Sequence, residues 1–332
     1  MNSTEKTKDK PLGENGKLSR IRVAELNNSE FKRKEAEKIT KVKDTDKELE
    51  FLLNKIKRNK NIDLTQYRSS ILMRRIWHRM QLAHCVSYLD YIMLLNKDPE
   101  EYDRMIECLS IKVSEFFRDP KVFDLLGDMV IPQIISEKQI RGDRKIRAWS
   151  CGTAYGQEAH SMAILFCESL GSRIGDFDIE VLGTDIDRSA LEKAPWGSYD
   201  RTVLRRISSH LLFKYFTRVE DRYMLNDKVR SLVSFRYHDI ISDNSIPSMD
   251  LVLCRNLLIY FRKENQEAIA QKLNAALNPG GFFVLGKTET LPPGMVECFE
   301  VVDLRERIYR KRSPINQKRE GRKMSEICAI NT

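Results

Sequence analysis

The sequence predicts a doubly wound α/β domain with a mainly parallel sheet, a small all-α domain before it and a small antiparallel β insertion within it. Beyond Ile140, short apolar runs alternate with helical stretches, which is typical of a sheet covered by helices. Residues 46–110 instead repeat apolar residues at helical spacing, and residues 199–232 interrupt the alternation. Because such sheets bind ligands at the carboxyl ends of their strands, we expect the functional residues there.

The amino-terminal part divides into an arm and a helical domain. Residues 1–45 contain few apolar positions and many charges, which predicts a disordered or marginally helical arm. From Asp46 the apolar residues follow a helical pattern, beginning with Leu49, Leu52 and Leu53, and predict about four short helices. We assign residues 46–125 to this domain and its linker helix.

The larger domain is predicted over residues 126–312, and a basic tail over residues 313–332. Its buried strands are expected at residues 145–150, 179–184, 232–238, 249–254 and 282–286, with a closing hairpin at 298–302 and 307–312. Helices are expected at residues 157–169, 188–194 and 263–277. Within residues 199–232 a helix and a short antiparallel hairpin form the predicted insertion.

Composition excludes several classes of protein. The 332 residues are 41% hydrophobic and 32% charged, as in ordinary globular proteins, and no apolar run approaches the roughly 20 residues that cross a bilayer. The amino terminus lacks the apolar stretch of a secretory signal, and the 7 cysteines form no CxxC pair. We therefore expect a cytoplasmic protein with free thiols, no metal site and no membrane insertion.

The net charge of +9 invites a nucleic-acid interpretation, but its position argues otherwise. Residues 1–46 and 305–332 carry the whole excess, and the residues between them are neutral overall. Solvated tails explain this distribution, so we expect no nucleic-acid partner.

The segment after the first strand, WSCGTAYGQEAHS (149–161), predicts a ligand site. Gly152 and Gly156 allow a tight turn and a close approach of the backbone to a ligand. Asp185 ends the second strand, where a carboxylate can accept hydrogen bonds from ribose hydroxyls. Glu158, in the first turn of the following helix, disfavours a pyrophosphate and suits a cationic ligand. S-adenosylmethionine fits, although Glu158 could equally be an ordinary acid at a helix start.

The fourth strand ends in LVLCRNLLIYF (251–261), where Arg255, Asn256 and Tyr260 are out of place as core residues and suit the mouth of a site. Methyltransferases that act on the exocyclic amines of DNA bases would show [DNS]-P-P-[YFW] at this point. The absence of this motif weakens the alternative that the chain is a DNA amino-methyltransferase.

Five segments in order resemble the CheR-type chemotaxis receptor methyltransferases. They are VSEFFRDPKVFDLL (113–126), WSCGTAYGQEAHSMA (149–163), LGTDIDRSALEKA (182–194), DLVLCRNLLIYF (250–261) and LNPGGFFVLGKTETL (277–291). LTQYRSSILMRRIWHRM (64–80) is similar to the helical domain of that family. The resemblance implies the Rossmann-like fold of S-adenosylmethionine (SAM)-dependent methyltransferases. It also implies methylation of chemoreceptor glutamates, with S-adenosylhomocysteine as the second product.

The resemblance also assigns residues. Arg118 and Tyr260 stand at the reacting centre. The implied SAM-binding residues are Ser114, Arg118, Glu158, Asp185, Asp239, Ile240, Arg255 and Asn256. Three departures from the family pattern are Lys112 for Asn, Gln157 for the first acid of GEE, and Ala159-His160 for Pro-Tyr.

The chemistry of a glutamate acceptor agrees with these residue types. A carboxylate with a pKa near 4.3 is already an anion at neutral pH, so no general base is required. Arg118 could orient it through charge-assisted hydrogen bonds. Four arginines, Arg68, Arg74, Arg75 and Arg79, lie on or beside one stripe of a predicted helix. A solvated face is the ordinary explanation, but beside such a site they predict a docking surface for an acidic receptor helix.

Two other functions stay open at this point. One is a nucleic-acid methyltransferase that uses the basic termini, and the other is a SAM-binding sensor or scaffold without turnover. We expect a monomer whose partner is the cytoplasmic helical domain of chemoreceptors.

Overall fold

The computed structural model describes residues 46–109 and 114–313. The predictions for the amino-terminal arm, for the tail beyond residue 313 and for Lys112 lie outside the described residues.

A seven-stranded sheet forms the centre of the larger domain. Its order is β6-β2-β1-β7-β8-β10-β9, and every pair from β6 to β8 is parallel. The strands are β1 (Lys145–Cys151), β2 (Asp178–Asp185), β6 (Val233–Tyr237), β7 (Met249–Cys254), β8 (Leu277–Leu285), β9 (Phe299–Asp303) and β10 (Ile308–Lys311). The final hairpin is antiparallel, with β10 between β8 and β9. The predicted doubly wound sheet is confirmed.

Eleven helices accompany the sheet within the described residues. The helical domain contains α1 (46–60), α2 (Ser69–Leu82), α3 (Tyr88–Lys97) and α4 (Glu101–Leu109). The larger domain contains α5 (Pro120–Leu125), α6 (Ile131–Arg141), α7 (Gln157–Leu170), α8 (Arg188–Lys193), α9 (Ser209–Tyr215), α10 (Asp227–Arg230) and α11 (Lys263–Ala276).

Alternation along β7 explains how the sheet is covered on both faces. Leu251 and Leu253 belong to one buried cluster, which includes residues of α5, α6 and α7. Val252 and Cys254 belong to a second cluster, which includes α11. Because successive side chains of a strand point to opposite faces, a central strand covered on both faces is mostly apolar; all six residues of β7 are buried, and only Asp250 among them is charged.

The helical domain has its own core, in which Leu52, Ile76, Tyr91 and Met105 are fully buried. Helix α3 begins with a capping box, in which Ser87 Oγ accepts from the Asp90 amide and the Asp90 carboxylate accepts from the Ser87 amide. The bounds of α1 to α4 confirm the four predicted helices.

The boundary predicted at residue 125 falls within a nearly continuous helical stretch, because a π-helical turn (Leu126–Val130) joins α5 to α6. Phe116, Val122 and Phe123 also pack in the core of the larger domain. The larger domain thus begins before residue 116, about ten residues earlier than predicted.

The predicted insertion is a three-stranded antiparallel sheet of order β3-β5-β4, formed by β3 (Ser198–Asp200), β4 (Phe216–Val219) and β5 (Arg222–Leu225). It is tied to the larger domain through Tyr199, whose hydroxyl donates to the Tyr155 carbonyl at 2.9 Å and lies 2.7 Å from His160 Nδ1. Burial, with a smaller effect of Arg230, lowers the pKa of His160 to about 3, so this histidine is neutral at physiological pH.

A buried ion pair joins α2 to α4. Arg79 Nε and Nη2 donate to the two carboxylate oxygens of Glu101 at 2.6 and 2.5 Å, and the Tyr91 hydroxyl donates to the same carboxylate at 2.7 Å. The Glu101 side chain is only 2% exposed. Burial by itself raises the pKa of Glu101, but the hydrogen bonds from Arg79 and Tyr91 outweigh it and lower that pKa overall.

We predict that Arg79→Ala lowers the free energy of unfolding by about 3 kcal/mol at pH 7, because it leaves Glu101 as a buried charge without its main partner. A carboxyl whose pKa is lowered by folding stabilises the folded state when the pH is above the pKa of that carboxyl in the unfolded chain. This stabilisation is lost as the pH falls through the lowered pKa of the folded state. The difference between wild type and variant should therefore shrink below about pH 4. Urea unfolding at pH 7 and at about pH 3 measures this difference.

The exposed Arg74 on the same helix provides the control. Arg74→Ala should change stability by less than about 0.5 kcal/mol. Equal effects of the two substitutions would contradict a structural role for the buried pair.

Candidate functional site

A cleft of about 740 Å³, partly open to solvent, lies at the carboxyl ends of β1, β2, β6 and β7. Its lining includes Gly152, Asp185, Asp239, Asn256 and Tyr260. A smaller recess shares Gly152, Asn256 and Tyr260 with it and continues towards Ser114 and Arg118. The site therefore has two ends, one at Asp185 and the other at Arg118.

The loop after β1 is fixed against the neighbouring strand. The amides of Gly152 and Thr153 donate to the Thr184 carbonyl at 2.8 and 2.9 Å. Gly156 has a φ of +85°, and a Cβ there would lie 2.7 Å from the Phe235 ring, so this position requires glycine. The loop that lines both ends of the cleft is consequently held in one path.

Asp185 sits at the predicted place, at the end of β2. Its carboxylate accepts from the amides of Ala154 and Asp187 at 2.8 and 2.9 Å. Burial raises the pKa of Asp185, while these backbone donors oppose the rise. The carboxylate is thus fixed at the wall of the cleft, where a ribose hydroxyl could reach it.

Asp239 and Ile240 follow β6 and line the same end of the cleft. The Asp239 carboxylate accepts from the Ile241 amide at 2.9 Å and from Ser242 Oγ at 2.7 Å. Both oxygens therefore organise the turn, and Asp239 shapes this end of the cleft in addition to lining it.

At the opposite end, Arg255 is the centre of a buried network. Its side chain is 1% exposed and contacts the carboxylates of Asp119 at 2.7 Å and Glu158 at 3.1 Å. It also donates to the Arg118 carbonyl at 2.8 Å, while Glu158 accepts from Ser150 Oγ at 2.8 Å. The network joins the first helical turn of α7 to the segment that carries Arg118.

The residues assigned to the reacting centre lie together. Arg118 and Tyr260 both line the recess, together with Ser114, Glu158, Arg255 and Asn256. The neighbouring acids Glu115 and Asp119 are bonded to Arg206 and Arg255 respectively. The structure thus brings all eight implied SAM-binding residues and Tyr260 to one continuous cleft.

The four predicted docking arginines separate into different roles. Arg79 is paired with Glu101, and Arg68 Nε donates to the Phe261 carbonyl at 3.0 Å. Arg74 is exposed and Arg75 half-buried, and both are close enough to Tyr260 to influence its pKa. The expectation of one free stripe is therefore corrected, because two of its members bind other parts of this chain.

Glu289 supports the backbone of the site without lining the cleft, and it was not identified from the sequence. It is 4% exposed, and its carboxylate accepts from the amides of Gly286 at 2.7 Å, Asn256 at 2.8 Å and Ile259 at 3.3 Å. Burial raises its pKa against the effect of these donors. The available signal was an acid a few residues after the predicted strand 282–286, in LGKTETL.

No group of His, Cys, Asp and Glu side chains suited to a metal occurs in residues 46–109 and 114–313. Nor does any helix in that part of the chain have the length and apolar character needed to cross a bilayer.

We predict that Glu289→Ala lowers the free energy of unfolding by about 3 kcal/mol, because three backbone donors lose their acceptor in a buried site. Glu289→Gln keeps one carbonyl acceptor and should cost about half as much. Urea unfolding measures both variants, with the exposed Glu297→Gln as control. A Glu289→Ala protein as stable as this control would show that the carboxylate does not hold the segment.

Two family profiles match the chain. Residues 112–308 match the SAM-binding domain of CheR methyltransferases, and residues 47–110 match the all-alpha domain of the same enzymes. Together they cover both domains described above.

Curated relatives agree with these matches. A chemotaxis protein methyltransferase of Listeria innocua is 30% identical over 250 residues, which are 75% of this chain and 92% of the relative. Chemotaxis protein methyltransferase 1 of Vibrio cholerae is 32% identical over 201 residues, 59% of this chain and 71% of the relative. An uncharacterized 104.1 kDa protein of Rhodobacter capsulatus is 30% identical over 254 residues, 76% of this chain but only 26% of the relative.

Among solved structures, the SAM-bound amino pentose methyltransferase CalS10 of Micromonospora echinaspora has 16% identity. It gives a TM-score of 0.26 over 50% of this chain and 52% of that chain, a likeness too weak to carry a conclusion. The family assignment rests on the profiles and the relatives. The two matched domains, in the order found here, identify the chain as a member of the CheR methyltransferase family, whose cofactor is S-adenosylmethionine.

Proposed function

We propose that this enzyme methylates glutamate side chains on the cytoplasmic helical domain of chemoreceptors. The products would be glutamate methyl esters and S-adenosylhomocysteine, and the modification would serve sensory adaptation. Such an acceptor would place its activity in the cytoplasm.

The observation that carries the proposal is that Arg118 lines the recess with Tyr260, while α2, which bears Arg74 and Arg75, begins beside the Tyr260 backbone. Burial raises the pKa of the Tyr260 phenol, and the charges of Arg75, Arg118 and Arg74 all act to lower it. Three positive charges therefore act on the part of the cleft that Tyr260 lines. This arrangement favours an anionic acceptor over a neutral one.

A carboxylate acceptor also explains why the site needs no general base. At neutral pH a glutamate is already ionised, so the chain need not remove a proton from it. The two acids that line the recess are already bonded within the chain, since Glu158 binds Ser150 and Arg255 and Glu115 binds Arg206. The described residues thus leave positioning as the main task of the enzyme.

The cleft fits S-adenosylmethionine. At one end, the buried carboxylates of Asp185 and Asp239 flank space for a nucleoside; at the other, Glu158 and Asn256 line space for a charged amino acid. When bound, the cofactor supplies an electrophilic methyl group on a positively charged sulfur. We propose that Ser114, Arg118, Glu158, Asp185, Asp239, Ile240, Arg255 and Asn256 form its site. Arg255 contributes indirectly, by holding Glu158.

We assign Arg118 and Tyr260 to the reacting centre. Arg118 would orient the incoming carboxylate with charge-assisted hydrogen bonds. The negative charge of the acceptor decreases as the new bond forms, so a very tight grip would stabilise the ground state. Arg118 should therefore contribute orientation with modest catalytic weight, while Tyr260 positions the methyl donor and presents its ring face to the sulfonium.

Arg74 and Arg75 are the proposed docking residues for the receptor helix. Both lie on α2, next to the mouth of the cleft, and Arg74 is exposed. Arg68 and Arg79 are left out of this surface because they bind the Phe261 carbonyl and Glu101.

The names of the Listeria and Vibrio relatives support a role in chemotaxis.

Radiolabelled methyl transfer tests the proposed function. The full chain, incubated with methyl-labelled S-adenosylmethionine and the cytoplasmic fragment of a receptor from the same organism, should produce base-labile label on the receptor. Replacing the labelled glutamates of the receptor by alanine should abolish the incorporation, because esters need those carboxylates.

Other results would contradict the proposal in different ways. Label transferred to RNA or DNA instead of receptor would favour a nucleic-acid methyltransferase. Cofactor binding without transfer to any receptor fragment of that organism would favour a sensor or scaffold.

A further inference from the structure

Tyr67 belongs to the helical domain yet lines the cofactor cleft. It follows a 3₁₀ turn (Leu64–Gln66) and precedes α2, and it shares the wall of the cleft with Asp185 and Asp239. None of the motifs that predicted the cofactor site includes it. Its position therefore links the helical domain directly to the end of the cleft that fits a nucleoside.

Backbone pairing on both sides fixes this tyrosine. The Arg68 amide donates to the Tyr260 carbonyl at 2.8 Å, and the Arg262 amide donates to the Gln66 carbonyl at 3.2 Å. Tyr67 and Phe261 form the antiparallel bridge between them, and their rings lie 4.8 Å apart. The ring is consequently held against the larger domain independently of its hydroxyl group.

The hydroxyl itself has no hydrogen-bond partner among the described residues, although it belongs to a ring at the cleft wall. Burial raises the pKa of Tyr67, and the negative charges of Asp239 and Asp185 raise it further. The phenol is thus protonated at neutral pH. It can donate a hydrogen bond, and because Tyr67 is half-buried at the wall of the cleft, a ligand in the cleft could accept that bond.

We propose that Tyr67 is a cofactor-binding residue, whose hydroxyl hydrogen-bonds to the adenosyl part of S-adenosylmethionine beside Asp185 and Asp239. The cofactor would then contact both domains and strengthen their association. This inference goes beyond the proposed function, because it concerns the cofactor alone and holds for any methyl acceptor.

Isothermal titration calorimetry on the full chain, without acceptor, tests the proposal. Tyr67→Phe removes the hydroxyl and keeps the ring that packs on Phe261. It should weaken binding of S-adenosylhomocysteine by about five- to tenfold, the effect of one lost hydrogen bond. Binding of 5′-methylthioadenosine, which lacks the amino-acid part, should weaken by the same factor, because the contact is to the adenosyl part.

Tyr102→Phe is the matched control, since Tyr102 is buried in the core of the helical domain and does not line the cleft. It should leave both affinities within about twofold of wild type. The unfolding temperature of the ligand-free Tyr67→Phe protein should equal that of wild type.

Three results would overturn the proposal. Wild-type affinity of Tyr67→Phe for both ligands would make the tyrosine a packing residue. A loss confined to S-adenosylhomocysteine would place the contact at the amino-acid end. A fall in ligand-free unfolding temperature large enough to account for the weaker binding would assign the effect to stability.

Discussion

The buried guanidinium of Arg255 is the interaction on which the site depends. Together with the segment 255–262, which begins at this residue, it holds the two domains and both ends of the cleft together. Arg255 binds Asp119 and Glu158, which fixes the recess. Glu289 then holds the amides of Asn256 and Ile259. At its far end the segment pairs with residues 66–68 of the helical domain. A displacement of this segment would therefore disturb the proposed cofactor pocket, the proposed reacting centre and the domain contact at once.

The charged side chains of the site form two groups with different proposed roles. Carboxylates are concentrated where a cationic cofactor fits, and the one buried arginine among them keeps the network from being an uncompensated cluster of acids. Arg118 lines the recess with Tyr260, and the charges of Arg74 and Arg75 also act on this tyrosine, where we propose that an anionic acceptor enters. Because carboxylates line the proposed cofactor site and arginines lie near Tyr260, where the acceptor would meet the cofactor, we expect alignment for in-line transfer to follow from the shape and polarity of one cleft.

The sequence predicted those features that depend on neighbours in the chain or on strand ends. Asp185 was found because parallel strands bring their carboxyl ends to one edge. Arg79 was assigned wrongly, because a charge on a helix face does not reveal the acid on the next helix. Arg68 and Phe261 are 193 residues apart, and a contact of that kind leaves no local pattern. Glu289 and Tyr67 escaped for the same reason, since only the folded chain shows what a lone acid or aromatic residue faces.

Steady-state kinetics of Arg74→Glu, with the exposed Lys97→Glu of α3 as control, tests this division of the cleft most directly. The account predicts that Arg74→Glu raises the KM for the receptor fragment by about five- to tenfold, since reversing one rim charge costs on the order of 1 kcal/mol. The Kd for S-adenosylmethionine should stay unchanged, and Lys97→Glu should alter neither value. Equal weakening of receptor and cofactor binding by Arg74→Glu, or none of receptor binding, would contradict it.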